Sequence, residues 1–177
     1  MQDHLQDYVL EATDILVFPL VRQELELLYD NPVAFSSYLN VWYDGVDLKK
    51  DNTVIKQINS VKSNEDNWLW HTMWVVVSVK DRTIIGGINY KGAPQDKKVS
   101  LECNLNEKYH NKGFGSKAVM LFNEWATKNG VKTLQAKTPK DNIAANRVLQ
   151  KNGYKVSKKT AKYNYYEFDS KEFKEEN

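Results

Sequence analysis

The chain has 177 residues, enough to bury a substantial core in one domain spanning 1–177, and its formal net charge of +2 is too small to argue for nucleic acid. No run approaches the roughly 18 apolar residues of a membrane span, and the polar, acidic start is unlike a signal peptide. The one cysteine, Cys103, excludes an internal disulfide and fits a reducing, cytoplasmic setting; the three histidines are far apart, without ligand spacing, so no metal site is expected.

In chain order, Met1 to Asp14 reads as a short helix or an arm, with Leu5, Val9 and Leu10 spaced for one helical face. Ile15 to Leu20 is a strand, and Val21 to Tyr29 a helix with Val21, Leu25 and Leu28 on one side. Asn31 and Pro32 start another helix, Asn capping and Pro at the first position. Asp44 and Gly45 mark a turn, and Asn52 to Ser63 is helical through Val54, Ile55, Ile58 and Val61. His71 to Lys80 and Thr83 to Tyr90 are rich in β-branched and aromatic residues and form a hairpin. Gly86 and Gly87 inside it predict a bulge or a close backbone approach. Lys98 to Leu105 is the next strand. Gly113 to Lys128 is a helix with Phe114, Ala118, Leu121, Phe122 and Trp125 in one apolar stripe, a core face. Val131 to Thr138 is a strand, Asn142 caps a helix to Asn152, and Tyr154 to Lys159 with Tyr163 to Asp169 closes the domain as a hairpin. A charged, disordered tail is expected from residue 170 to 177. This order specifies an α/β fold: a mixed, mostly antiparallel central sheet of six to seven strands with helices on both faces.

One stretch carries chemistry. His110-Asn111-Lys112-Gly113-Phe114-Gly115-Ser116 lies between a strand and a helix, where the first helical N–H groups lack partners and the helix dipole places partial positive charge. Two glycines permit φ > 0 and let an anion approach the main chain. That is a phosphate cradle in type. It is not a Walker A loop, because Ser116-Lys117-Ala118 stands where Gly-Lys-Ser/Thr is required, and it lacks the third glycine of a dinucleotide-binding fingerprint. A simpler reading is a two-glycine turn before an amphipathic helix.

The spacing resembles the Gln/Arg-x-x-Gly-x-Gly/Ala acetyl-CoA loop of the GNAT superfamily of N-acetyltransferases. A second stretch, Asn142 through Arg147 to Lys151-Asn152-Gly153-Tyr154, resembles that family's other signature, an Asn opening a helix that closes on Lys-x-Gly-Phe/Tyr. Phe18-Pro19-Leu20 and the run Glu24 to Leu28 are similar to the start of its ribosomal-protein-acetylase-like branch. The resemblance implies the GNAT fold, with a sheet that splays beside the cofactor, and acetyl-CoA as co-substrate. It also implies acetyl transfer to a primary amine, either a protein N-terminus or a small-molecule amine, by direct attack in a ternary complex. It places the cofactor on Leu105, His110, Asn111, Lys112, Gly113, Phe114, Gly115 and Ser116, with Asn142 and Asn146 beside the pantetheine or adenosine. Asn142 serves as helix cap, as ligand, or as both, whereas Asn146 in mid-helix is unfavourable by propensity, which points to a use for its side chain.

Proton handling is less determined. Relatives often carry a Glu on the strand before the loop. The aligned position is Ser100, and Glu102 follows on the same face. Glu102 is the candidate general base, directly or through water, against the simpler role of a salt-bridged surface carboxylate. Cys103 points the opposite way and is a remote nucleophile candidate, being more simply a small core residue. The Tyr general acid of many relatives aligns with Leu149 and is missing. The acceptor site is expected between the helices of residues 21–63 and the final hairpin. Trp42, Tyr43, Trp68, Trp70, Tyr163, Tyr165 and Tyr166 are available there, though most aromatics pack cores. A non-catalytic acetyl-CoA-binding module is the alternative, and simple nucleotide binding a third. No nucleic acid, membrane or metal is expected as partner, and the assembly is a monomer or a homodimer.

Overall fold

A computed structural model describes residues 7–43 and 53–172. The turn expected at Asp44 and Gly45, the first residues of the N-terminal arm and residues 173–177 lie outside the described residues; the first three residues of the tail expected to be disordered, Ser170–Glu172, form a 3-10 turn. In chain order the elements are β1 (Leu10–Ala12), β2 (Ile15–Pro19), α1 (Arg22–Asp30), α2 (Pro32–Leu39), β3 (Trp42–Tyr43), α3 (Thr53–Lys62), β4 (Trp74–Ser78) and β5 (Thr83–Tyr90). They continue with β6 (Lys98–Leu105), α4 (Phe114–Lys128), β7 (Thr133–Pro139), α5 (Ile143–Lys151), β8 (Lys155–Lys159) and β9 (Tyr163–Asp169).

The described strands form one sheet of nine in the order β1-β2-β4-β5-β6-β7-β9-β8, with β3 added beside β5. Pairing is antiparallel except for β3 with β5 and β6 with β7. The sheet is therefore larger than the six to seven strands expected, and the additions are the two shortest. In β1, Leu10 and Ala12 alternate with exposed Glu11, a period of two that three residues of sequence cannot separate from a helical turn. The helix expected near there is thus a strand at residues 10–12, paired Leu10 to Val17. β3 fills the part of the β5 edge that β6 leaves free, pairing at Thr83 and Ile84 while β6 pairs from Gly86 onward.

Strand and helix signals otherwise act as their chemistry dictates. Asn31 Oδ1 accepts from Ala34 N–H at 3.0 Å and Pro32 opens α2. Glu24 reaches back from α1 so that its Oε2 accepts Val21 N–H at 2.9 Å. The Gly86-Gly87 pair produces both expected features. The β4–β5 register jumps from Val76–Gly86 to Val77–Ile84, skipping Ile85. A Cβ on Gly86 would lie 2.2 Å from Asn104 O, so no other residue fits against β6 there.

Two apolar clusters sandwich the sheet. The first lies under α4 and α5 and draws on strands across the sheet, from Ile15 and Val17 to Tyr166 and Phe168. Its centre is aromatic: Tyr90 stacks on Phe122 at 3.9 Å, its hydroxyl donates to Phe122 O at 2.6 Å, and Trp74 and Trp125 close around them. The α4 stripe is core, as its periodicity requires, with Ala118, Leu121 and Phe122 buried. The second cluster lies on the opposite face, under α1, α2 and α3, and takes its strand residues from β2, β4 and β5. Trp70 joins the first cluster against Tyr90 and Trp125, and Trp68 packs beside the second, edge-on to Tyr8.

Candidate functional site

The site begins where two neighbouring strands stop pairing. β6 and β7 run parallel and share three rungs, Lys98 with Thr133, Val99 with Leu134 and Ser100 with Gln135. Beyond Ser100, β6 continues along β5 to Leu105, and β7 continues along β9 to Pro139, so each keeps one hydrogen-bonded neighbour and loses the other. The result is a cleft through the sheet, with a cavity volume of about 410 Å³ lined by β6 residues 101–105, β7 residues 136–139, the turn before α4 and one side of α5. That size suits a small ligand or the arm of a larger one.

The turn is built to leave donors open. Asn106 Oδ1 accepts Lys108 N–H at 3.0 Å, tightening a 3-10 turn over Glu107–Tyr109. His110 Nε2 donates to Leu105 O at 2.9 Å, bracing the loop against the end of β6. Asn111 (φ 59) and Gly113 (φ 84) take left-handed conformations and swing the chain into α4. Gly115 does not; its absent side chain does something else. A Cβ there would face Leu105 Cδ1 at 3.5 Å and Val148 Cγ2 at 3.6 Å, across the mouth of the cleft. The first paired amide is Lys117 N–H, bound to Gly113 O at 3.1 Å. Among the described residues no side chain caps this helix, and the N–H groups of Phe114, Gly115 and Ser116 have no acceptor.

Around that opening each side chain has a definite position. Lys112 stands over the Tyr109 ring at 5.3 Å, and the ring of Phe114 packs on Tyr109, so Phe114 offers the turn only its main chain. Lys117 is turned away and bound to Asp14 at 2.6 Å, tying α4 to the β1–β2 turn. Ser116 Oγ accepts Asn152 Nδ2–H at 3.0 Å, fastening the end of α5 to the start of α4. Asn142 both lines the cleft and caps α5, its Oδ1 accepting Ala145 N–H at 3.0 Å.

Asn146 is placed apart from this group. It is buried on the sheet side of α5, and its amide donates to Pro139 O at 2.9 Å and Asn142 O at 2.7 Å. Its Oδ1 accepts from Asn164 Nδ2 at 2.9 Å and Tyr166 Oη at 2.7 Å. All four hydrogen-bonding positions are used within the protein, which is why a helix-averse residue occupies mid-helix. The cleft-lining positions on α5 are instead Ala144, Ala145, Arg147, Val148, Leu149 and Lys151. Arg147 and Lys151 were not singled out from sequence; their four-residue spacing, which sets both on one face, was the available signal.

On β6 the alternation is clear. Leu101 is buried, and Cys103 and Leu105 pack against the first cluster, whereas Glu102 and Asn104 are exposed on the other face. Burial pushes the Cys103 thiol up to about 12, so it is protonated at neutral pH. Glu102 is the one carboxylate among the described residues lining the cleft. Its Oε1 accepts Asn89 Nδ2–H at 3.1 Å and its Oε2 meets Lys91 Nζ at 3.0 Å. Ser100 sits at the last shared rung, short of the opening. Leu149, which aligns with the Tyr acid of many relatives, is buried and lines the inner wall of the cleft with an apolar side chain.

Similarities to known proteins agree with this architecture. A curated relative from Bacillus subtilis (strain 168), described as the uncharacterized N-acetyltransferase YjdG, is 24% identical over 100 residues, which span 55% of this chain and 60% of that protein. The crystal structure of ribosomal-protein-S5-alanine acetyltransferase from Vibrio fischeri matches 96% of this chain and 100% of its own with a TM-score of 0.68 at 16% identity. The microcin C7 self-immunity acetyltransferase MccE, solved with acetyl-CoA and AMP, matches 89% of this chain and 93% of its own with a TM-score of 0.62 at 14% identity. At such identities these structures establish a shared fold. The model of the acetyltransferase (GNAT) domain matches residues 21–155, three quarters of the sequence, and the chain belongs to that family.

Proposed function

We propose that this protein is a single-domain, acetyl-CoA-dependent N-acetyltransferase that moves an acetyl group to a primary amine by direct attack in a ternary complex. The observation that carries the reading is the parting of β6 from β7 beside an uncapped helix start: a cleft between the two strands, with free amide donors at one end. The residues present suit coenzyme A. The N–H groups of Phe114, Gly115 and Ser116 would take the diphosphate, each such hydrogen bond to a charged group contributing roughly 1.5–3 kcal/mol. The missing side chain of Gly115 gives access, His110 and Asn111 hold the loop, and Arg147 and Lys151 add positive charge from α5. Leu105 and Asn142 line the way along the cleft.

When bound, acetyl-CoA supplies the acetyl group as a thioester. The chain's own part is positional and electrostatic. Holding two reactants in register can supply roughly 7–11 kcal/mol of a barrier. Glu102, steadied by Asn89 and Lys91, stands on the face opposite α4 and accepts the amine proton through water. Cys103 lines the cleft from the α4 side, but burial holds its thiol protonated, which favours direct attack over a covalent enzyme intermediate. Leu149 lines the cleft but carries no ionisable group, so no acid comes from that position; a coenzyme A thiol is acidic enough to leave as thiolate with modest help.

Two measurements test this. Coenzyme A at a hundredfold excess over its dissociation constant should stabilise the protein by about 2.7 kcal/mol and raise its melting temperature by roughly 5–10 °C. Thiol release from acetyl-CoA should then appear with at least one primary amine. Absence of the thermal shift rejects the cofactor assignment. A shift without thiol release across a broad amine panel leaves a non-catalytic acetyl-CoA-binding module.

A further inference from the structure

Past β5, the second face of the sheet carries no helix among the described residues, because the cluster under α1–α3 takes nothing from β6, β7, β8 or β9. With α4 and α5 on the other side, an acceptor reaches the cleft across this bare face. Strand alternation decides what it meets there: Glu102 from β6, Gln135 and Lys137 from β7, and Tyr163, Tyr165 and Glu167 from β9.

The charges on this face are unequally matched. Glu102 is held by Lys91 and Asn89, and Glu167 Oε1 accepts Gln135 Nε2–H at 2.8 Å. Lys137 Nζ stands 4.0 Å from the Tyr163 ring centre and 5.5 Å from that of Tyr165, and Lys158 Nζ is 5.8 Å from the Tyr165 centre. Among the described residues neither lysine has a carboxylate within ion-pair distance. Lys137 is also a cleft residue, two positions beyond the last β6–β7 rung and on the same face as it. Tyrosine faces hold its ammonium against the sheet by cation–π attraction without neutralising it.

A fixed cation at this mouth sorts amines by their other end. A second ammonium meets like charge, whereas a carboxylate or phosphate gains a charge-assisted hydrogen bond. We propose that the acceptor is an amine bearing an anionic group, carboxylate or phosphate, and that Lys137 binds that group and sets the specificity, with Lys158 reinforcing it. Polyamine-like acceptors are thereby disfavoured. The inference rests on the acetyltransferase reading above.

The test is thiol release from acetyl-CoA with matched acceptors: serine against serinamide, glucosamine 6-phosphate against glucosamine, and spermidine as the cationic extreme. The anion-bearing member of at least one pair should be preferred by roughly tenfold or more in kcat/KM, the scale of one charge-assisted hydrogen bond, and the pair that responds tells carboxylate from phosphate. In Lys137→Met that preference should collapse through the acceptor KM, with kcat and the KM for acetyl-CoA kept, while Lys137→Arg retains it. Added salt should weaken the preference in the unaltered protein, a readout that stands even if the Met variant does not fold. Equal or better use of the neutral member in both pairs, or of spermidine over every anion-bearing acceptor, overturns the inference, as does a preference indifferent to salt or to Lys137→Met. No release with any anion-bearing acceptor, while coenzyme A still raises the melting temperature, overturns it alone. Loss of that thermal response as well would mean the acetyltransferase reading had failed first.

Discussion

Gly113 and Gly115 are two residues apart and do different jobs. Gly113 sits at φ 84, with open space where a Cβ would be, so it is required by the backbone. A side chain there costs roughly 1–2 kcal/mol of left-handed strain and disturbs the turn, which would confuse a binding test. Gly115 has ordinary helical geometry, and a Cβ would meet Leu105 and Val148 only at van der Waals distance. Gly115→Val is therefore the sharper substitution. It should leave the unliganded melting temperature within a few degrees of the parent and remove the coenzyme A-induced rise. A full rise in that variant would place the diphosphate elsewhere. The two-glycine signal was plain in the sequence, but which glycine served conformation and which served access was not. That depends on φ at each and on the approach of β6 and α5, neither of which a two-residue spacing encodes.

At the scale of elements, α5 shows how a helix can serve a site without its polar residue touching it. Asn146 bonds Pro139, Asn142, Asn164 and Tyr166, locking the helix to β7 and β9. The opposite side of the same helix then presents Arg147 and Lys151 to the cleft. Asn146→Leu keeps the volume but strands the buried Tyr166 hydroxyl and the Asn164 amide, while Pro139 O and Asn142 O keep their backbone donors. It should cost roughly 2–4 kcal/mol in urea unfolding while the coenzyme A-induced thermal shift persists. A variant of unchanged stability with a diminished shift would instead make Asn146 a cofactor ligand. The sequence marked this residue as used, from propensity alone. It could not say by what, because Asn164 and Tyr166 lie eighteen and twenty residues on and meet it only when β9 inserts beside β7.

The whole molecule keeps several weak acids neutral by burial. Desolvation raises Tyr90 well above the ordinary phenol range and raises Tyr154 as well, the latter against the opposing effect of its hydrogen bond to Asn123 Oδ1 at 2.7 Å; it also pushes Cys103 up to about 12. In the unfolded chain the thiol ionises near about 8.5 and the phenols near about 10. Above those values the unfolded state binds fewer protons than the folded one, so stability falls as pH rises. The melting temperature should drop steadily from about pH 8.5 upward, and Tyr154→Phe should make the drop shallower, though it lowers stability at neutral pH by leaving Asn123 without its donor. A melting temperature constant to pH 11 would contradict the burial assigned to these groups.

Taken alone, the chain's alternation, caps and glycines determined the element order, the core stripe of α4 and the loop that marks the family, because those signals act within a few residues of one another. Tertiary structure decided the rest. It added β1 and β3, too short for periodicity to register, and chose where β6 and β7 separate. It turned Lys117 to Asp14 and left Lys137 over two tyrosines at the mouth of the cleft. Those outcomes depend on which distant strands become neighbours, and strand pairing is set by the packing of the whole sheet rather than by any local run of residues.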